Sequence, residues 1–114
     1  MHPTTAYKVL TADQMTALEA GTFAGAPIDL SAGYIHMSTR DQLTETVDKH
    51  FAGQSDLWVA AVDVEALGDA VKWEVSRGGA EFPHLYGQLT LETVIAYSPL
   101  EREDDGTVRL PVAG

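Results

Sequence analysis

Two hydrophobic periods alternate along the chain, and each change of period marks a change of element. The run Tyr7-Lys8-Val9-Leu10 is a short strand pattern. Thr11 follows with Gln14 three residues on, the spacing of a capping box, so a helix starts there with Ala12, Met15 and Leu18 as its inward stripe. Gly21 ends that helix. Residues 22–33, punctuated by glycine and Pro27, read as a loop of about a dozen residues. Loops of that length inside a compact domain are either functional lids or disordered segments.

Residues 34–37 read as a strand. Because side chains alternate faces, Ile35 and Met37 point one way, while Tyr34, His36 and Ser38 form a second, polar face. A helix comes next: Thr39 and Gln42 match a capping box, Leu43, Val47 and Phe51 recur every four residues, and Gly53 is the stop. Residues 57–62 are apolar at every position, as in a central strand covered on both sides, and residues 63–68 make a short connection. Residues 70–75 alternate, with Val71, Trp73 and Val75 on one face and Lys72 and Glu74 on the other, which places Glu74 towards solvent or a cleft. Ser76-Arg77-Gly78-Gly79 breaks the pattern, and an extended Glu81-Phe82-Pro83-His84-Leu85-Tyr86 segment puts His84 and Tyr86 on one side. Residues 94–98 are the last strand pattern, and Asp104-Asp105-Gly106 is a turn that folds residues 107–110 back as a hairpin.

Composition narrows the function classes. With 114 residues, 45% of them hydrophobic and 21% charged, the chain fits one folded domain spanning residues 1–114, with an acidic turn and tail from residue 100 onwards. There is no cysteine, which excludes disulfides, thiolate catalysis and thiolate zinc sites. The first residues show no basic and apolar leader and no stretch is apolar enough to span a bilayer, so the expected compartment is cytoplasmic. A formal charge of −10 repels phosphate backbones and anionic membranes, so neither long nucleic acid nor a membrane is an expected partner. A small anionic or nucleotide ligand remains, provided local cations receive it.

No phosphate loop or dinucleotide glycine fingerprint is present, and the four histidines show no paired ligand spacing, so no metal site is expected. The candidates lie where residues 34–39 meet residues 73–86. His36, Ser38 and Thr39 sit at a strand-to-helix junction that offers an imidazole, hydroxyls and helix amides to a polar ligand; equally, His36 fits a core histidine and the hydroxyls fit a helix cap. Arg77, ahead of two glycines, suits a phosphate or carboxylate, against an ordinary ion pair with Glu74 or Glu81. Tyr86 suits stacking on a heterocycle, and His84 suits hydrogen bonding or proton transfer. Glu74 is a weak general base by itself, since a charged outer-face residue usually only meets water.

Several separated segments match a known pattern in order: Gly33-Tyr34-Ile35-His36-Met37-Ser38-Thr39, then His50-Phe51-Ala52-Gly53-Gln54, then Trp73-Glu74 with Arg77-Gly78-Gly79, then Phe82-Pro83-His84-Leu85-Tyr86-Gly87. Together they resemble the DUF family 952, an uncharacterised bacterial domain family, over residues 7–99. That family is similar to a compact ADP-ribosyltransferase fold, which implies an α+β chain with a curved split sheet of roughly 5–7 strands and two main helices. The resemblance implies NAD as substrate or ligand, His36 on a ribose, Tyr86 stacking on nicotinamide, and an acid near the ribosyl cation. In such folds the acid usually follows the aromatic residue, whereas Glu74 and Glu81 precede Tyr86. The expectation is therefore binding of NAD, ADP-ribose or a related nucleotide phosphate with ribosyl transfer or hydrolysis. The alternatives are a non-catalytic module for a small anionic metabolite and a protein-interaction domain whose polar cluster is structural.

Overall fold

The structure, a computed structural model, describes residues 2–112, the side chain of Arg77 excepted. Its chain order is β1 (Thr5–Thr11), α1 (Ala12–Ala20), α2 (Pro27–Ala32), β2 (Ile35–His36), α3 (Arg40–His50), β3 (Leu57–Asp63), α4 (Val64–Leu67), β4 (Val71–Val75), β5 (Glu81–Leu85) and β6 (Val94–Pro99). The fold is mixed α and β, with two small antiparallel sheets rather than one continuous one.

The larger sheet has the order β1-β3-β6. β3 is its centre because its apolar run serves two cores at once. Ala60 and Val62 pack with Ala6, Leu10, Met15 and Leu18 on the side that α1 covers. Leu57, Val59 and Ala61 pack with Tyr7, Val9, Leu43 and Val47 on the side that α3 covers. α1 starts as expected: the Thr11 amide donates to Gln14 Oε1 at 3.0 Å and the Gln14 amide to Thr11 Oγ1 at 3.2 Å, and Gly21 closes it with φ of 79°. Met15 and Leu18 are its buried stripe, while Ala12 stands exposed on the first turn.

Residues 22–33 depart from the expected loop. Phe23 is buried, and Pro27–Ala32 form α2. Pro27 opens that helix, Asp29 Oδ2 accepts the Ala26 amide at 2.9 Å, and Gly33 ends it with φ of 87°. A proline just inside a helix start and a glycine just past its end are the signals a short helix leaves in sequence. The connection after β3 also folds, as the one-turn α4 capped by Asp63.

The smaller sheet has the order β2-β5-β4. Ile35 pairs with Leu85, His36 with His84, Lys72 with His84 and Glu74 with Phe82. Partners across an antiparallel ladder share a face, so Tyr34, His36, Lys72, Glu74, His84 and Tyr86 are turned to one side. Ile35, Val71 and Leu85 are turned to the other and join the core under the large sheet. The two sheets meet at residues 7 and 38: the Tyr7 amide donates to Ser38 O at 2.7 Å and the Ser38 amide to Tyr7 O at 2.9 Å. The C-terminal turn folds back through an Arg102–Val108 bridge, and the Val108 amide donates to Thr44 Oγ1 on α3. No helix among the described residues is long and apolar enough to cross a membrane.

Candidate functional site

The free face of the small sheet carries two imidazole–carboxylate pairs. The first is built on a buried anion. Asp29, on α2, accepts four hydrogen bonds: Lys8 Nζ at 2.9 Å and the Ala26 amide at 2.9 Å on Oδ2, and the His36 amide at 3.0 Å and His36 Nδ1 at 2.8 Å on Oδ1. Lys8 Nζ also donates to the His36 carbonyl at 3.0 Å. Burial pushes the Asp29 carboxyl up, but the Lys8 charge and the donors from His36, Lys8 and Ala26 outweigh it and hold it below the ordinary aspartate range. Lys8 is lowered by burial, offset in part by Asp29. An ionised carboxylate accepts only, so His36 Nδ1 donates, and in the neutral ring Nε2 keeps the lone pair.

The second pair is built on a buried ring. His84 Nδ1 donates to Glu74 Oε1 at 2.8 Å, and the Tyr86 hydroxyl donates to the same oxygen at 2.8 Å. Those hydrogen bonds, from His84 and then Tyr86, hold the Glu74 carboxyl below its ordinary value, so it is an anion at neutral pH. The same bond pushes the Tyr86 phenol up, which keeps it protonated. Glu74 and His84 lie on neighbouring strands two residues off register, the diagonal at which long side chains still touch.

Tyr34 joins the two pairs. Its ring stacks on His84 with centroids 4.2 Å apart and lies 4.6 Å from His36 and 5.2 Å from Tyr86. The His36 and His84 rings meet edge-on at 5.5 Å. Lys72 Nζ stands 5.9 Å from the Tyr86 ring centre and brings a cation to the edge of this cluster. Beside Tyr34 lies a depression of about 210 Å³ whose walls include Asp29, Gly33, Leu85 and Gly87.

Of the residues singled out in the sequence, His36, His84, Glu74 and Tyr86 come together here. Ser38 does not join them: it is buried, and its hydroxyl bonds Thr46 on α3 at 2.8 Å. Thr39 is the residue before α3, its amide donating to Gln42 Oε1 at 3.0 Å, as a helix cap does. Arg77 lies on the turn of residues 77–79 between β4 and β5, and its side chain falls outside the described part of the molecule. Sequence reasoning missed Asp29 and Lys8 altogether. The available signals were Pro27 and Gly33 bracketing Asp29, and a lysine inside an apolar strand. No group of three or more His, Asp or Glu side chains that could hold a metal ion gathers among the described residues.

The whole architecture has counterparts. The crystal structure of protein CC0527 from Caulobacter crescentus superposes with a TM-score of 0.84 at 42% identity, covering 94% of this chain and 95% of that one. The solution NMR structure of CC0527 gives a TM-score of 0.77 at 43% identity, covering 93% and 91%. No curated protein matches the chain. The family model described as a protein of unknown function, DUF952, matches residues 9–97, and the chain belongs to that family.

Proposed function

We propose that the free face of the small sheet binds a ribosyl nucleotide, namely NAD, ADP-ribose or a related nucleotide phosphate, and acts in ribosyl transfer or hydrolysis. The observation that carries this reading is the position of Glu74. Although it precedes Tyr86 in sequence, antiparallel pairing of β4 with β5 sets its carboxylate directly on the Tyr86 hydroxyl and on the His84 imidazole. A glycosidic bond breaks through a cation-like ribosyl centre, and a fixed, ionised carboxylate lowers the energy of that centre without reorganising. His36 Nε2 accepts a hydrogen bond from a ribose hydroxyl, and the Tyr34 and Tyr86 rings take the flat face of a heterocycle. Lys72 and Arg77 are the cations for phosphate in an otherwise acidic molecule. A histidine on an early strand and a sheet split in two are also what an ADP-ribosyltransferase-like fold would supply, and the proposal extends to that likeness.

Calorimetric titration with NAD, ADP-ribose and inorganic phosphate, alongside an assay of NAD consumption, tests it. Binding of a ribosyl nucleotide that is lost in His36→Ala, with turnover lost in Glu74→Gln, is the expected outcome. Binding of ADP-ribose without any NAD turnover would instead identify a non-catalytic module. If no nucleotide binds, and His36→Ala lowers the melting temperature sharply, the cluster is a fold element and the proposal fails.

A further inference from the structure

Lys8 and Asp29 are buried, and they hold His36 by its ring and by its backbone on both sides. Asp29 takes the His36 amide and Nδ1, and Lys8 takes the His36 carbonyl. A carboxylate has about four lone-pair directions, and here the Lys8, Ala26 and His36 donors fill all of them. Neither oxygen retains a direction for a proton of its own. The contact to His36 Nδ1 is then possible only with the proton on the ring nitrogen.

We propose that Lys8 and Asp29 are positioning residues that lock the His36 imidazole as its Nδ1–H tautomer and so commit its Nε2 to the role of hydrogen-bond acceptor in the site. This rests on the reading of His36 as a ligand-facing group. The support is geometric. Asp29 is all but fully buried while the ring it holds is one-third exposed, so whatever the pair exposes belongs to the ring. No described residue bonds that nitrogen. A buried lysine–aspartate pair is moreover a poor way to gain stability, since apolar residues of similar volume often serve the fold as well or better. Capping α2 accounts for one of the four bonds Asp29 accepts, and the two bonds to His36 are surplus to it.

The direct test is nitrogen NMR of the histidine rings in the full-length chain, without ligand, at neutral pH. Wild-type His36 is expected to show a protonated Nδ1 and an unprotonated Nε2. In Asp29→Asn the amide oxygen turns to Lys8 and the Ala26 amide, which leaves an NH2 group facing Nδ1 and drives the proton to Nε2. A folded Asp29→Asn protein should show that exchanged tautomer and bind ADP-ribose at least tenfold more weakly, a reversal that a purely structural role would not produce. Should Asp29→Asn fail to fold, Lys8→Met/Asp29→Leu removes both charges together and carries the same reading of the ring. Wild-type His36 found mainly as Nε2–H or doubly protonated, or a folded variant that keeps Nδ1–H, overturns the inference. Because the tautomer is read without ligand, failure of wild type to bind any nucleotide would overturn the ligand reading while the tautomer still decides this one.

Discussion

The two imidazole–carboxylate pairs are inversions of each other. In Asp29–His36 the carboxylate side chain is 1% exposed and the ring 33%; in Glu74–His84 the ring is 5% exposed and the carboxylate 40%. Both contacts measure 2.8 Å, so only their placement relative to the surface differs. One pair therefore offers a nitrogen lone pair and the other a negative oxygen. The cost differs as well. A buried anion needs a cation close by, which Lys8 supplies at 2.9 Å, whereas the half-open Glu74 is solvated by water and needs only two hydrogen bonds.

The sharpest way to break this contrast is to remove each charge in turn. Lys8→Met strands Asp29 as an unpaired buried anion and is expected to cost about 3–5 kcal/mol in urea denaturation. Glu74→Gln should leave the denaturation midpoint where it is in wild type but lower any ribosyl turnover by about 10²-fold or more. A Lys8→Met protein as stable as wild type would erase the asymmetry.

Acid offers a milder test. The Asp29 carboxyl titrates below the ordinary value of 3.8, so its contribution is complete above about that pH and is lost as the pH falls through the lower folded value. Stability should rise with pH across that window, and less steeply in a folded Asp29→Asn variant, as measured by melting temperature against pH. Lys8 is displaced the other way in charge: it is lowered from 10.5, so the fold gains stability as the pH climbs from the folded value towards 10.5. The smallest effect belongs to Tyr86→Phe, which removes one of two donors to Glu74 and keeps the ring beside Tyr34. Glu74 should then titrate closer to its ordinary 4.5, an upward shift visible in the carboxyl carbon signal by NMR.

Much of this surface was legible because strands alternate. The polar face of Tyr34 and His36, the outward Glu74, and the shared side of His84 and Tyr86 all follow from a period of two. Alternation is blind, however, to what covers a face. It grouped Ser38 with His36, but α3 lies over that end and takes the Ser38 hydroxyl with Thr46. It also could not say which strands pair, so Glu74 looked misplaced in chain order until the β4–β5 register brought it against Tyr86.

The inner pair was illegible for a different reason. Lys8 and Asp29 are 21 residues apart, and their partnership depends on α2 folding against β1 where the chain reads as a glycine-bounded loop. Turn-forming residues dominated that reading, although Pro27 and Gly33 bracket a helix start and stop. A buried charge gives no periodic signal of its own, because its position is set by its partner rather than by its neighbours in sequence.

The join between the sheets has a mechanical consequence. Two successive amides cross it: Met37 donates to Pro83 O in the small sheet, and Ser38 donates to Tyr7 O in the large one. His36 is the next residue back, so its imidazole stands almost on the line about which the two sheets would flex. A point on a hinge line moves least when the leaves move. Glu74 rides on β4, the far edge of the small sheet, and would sweep an arc in the same motion. Because His36 and Glu74 belong to the same leaf, such flexing would carry the carboxylate past the large sheet while leaving its spacing from the imidazole unchanged.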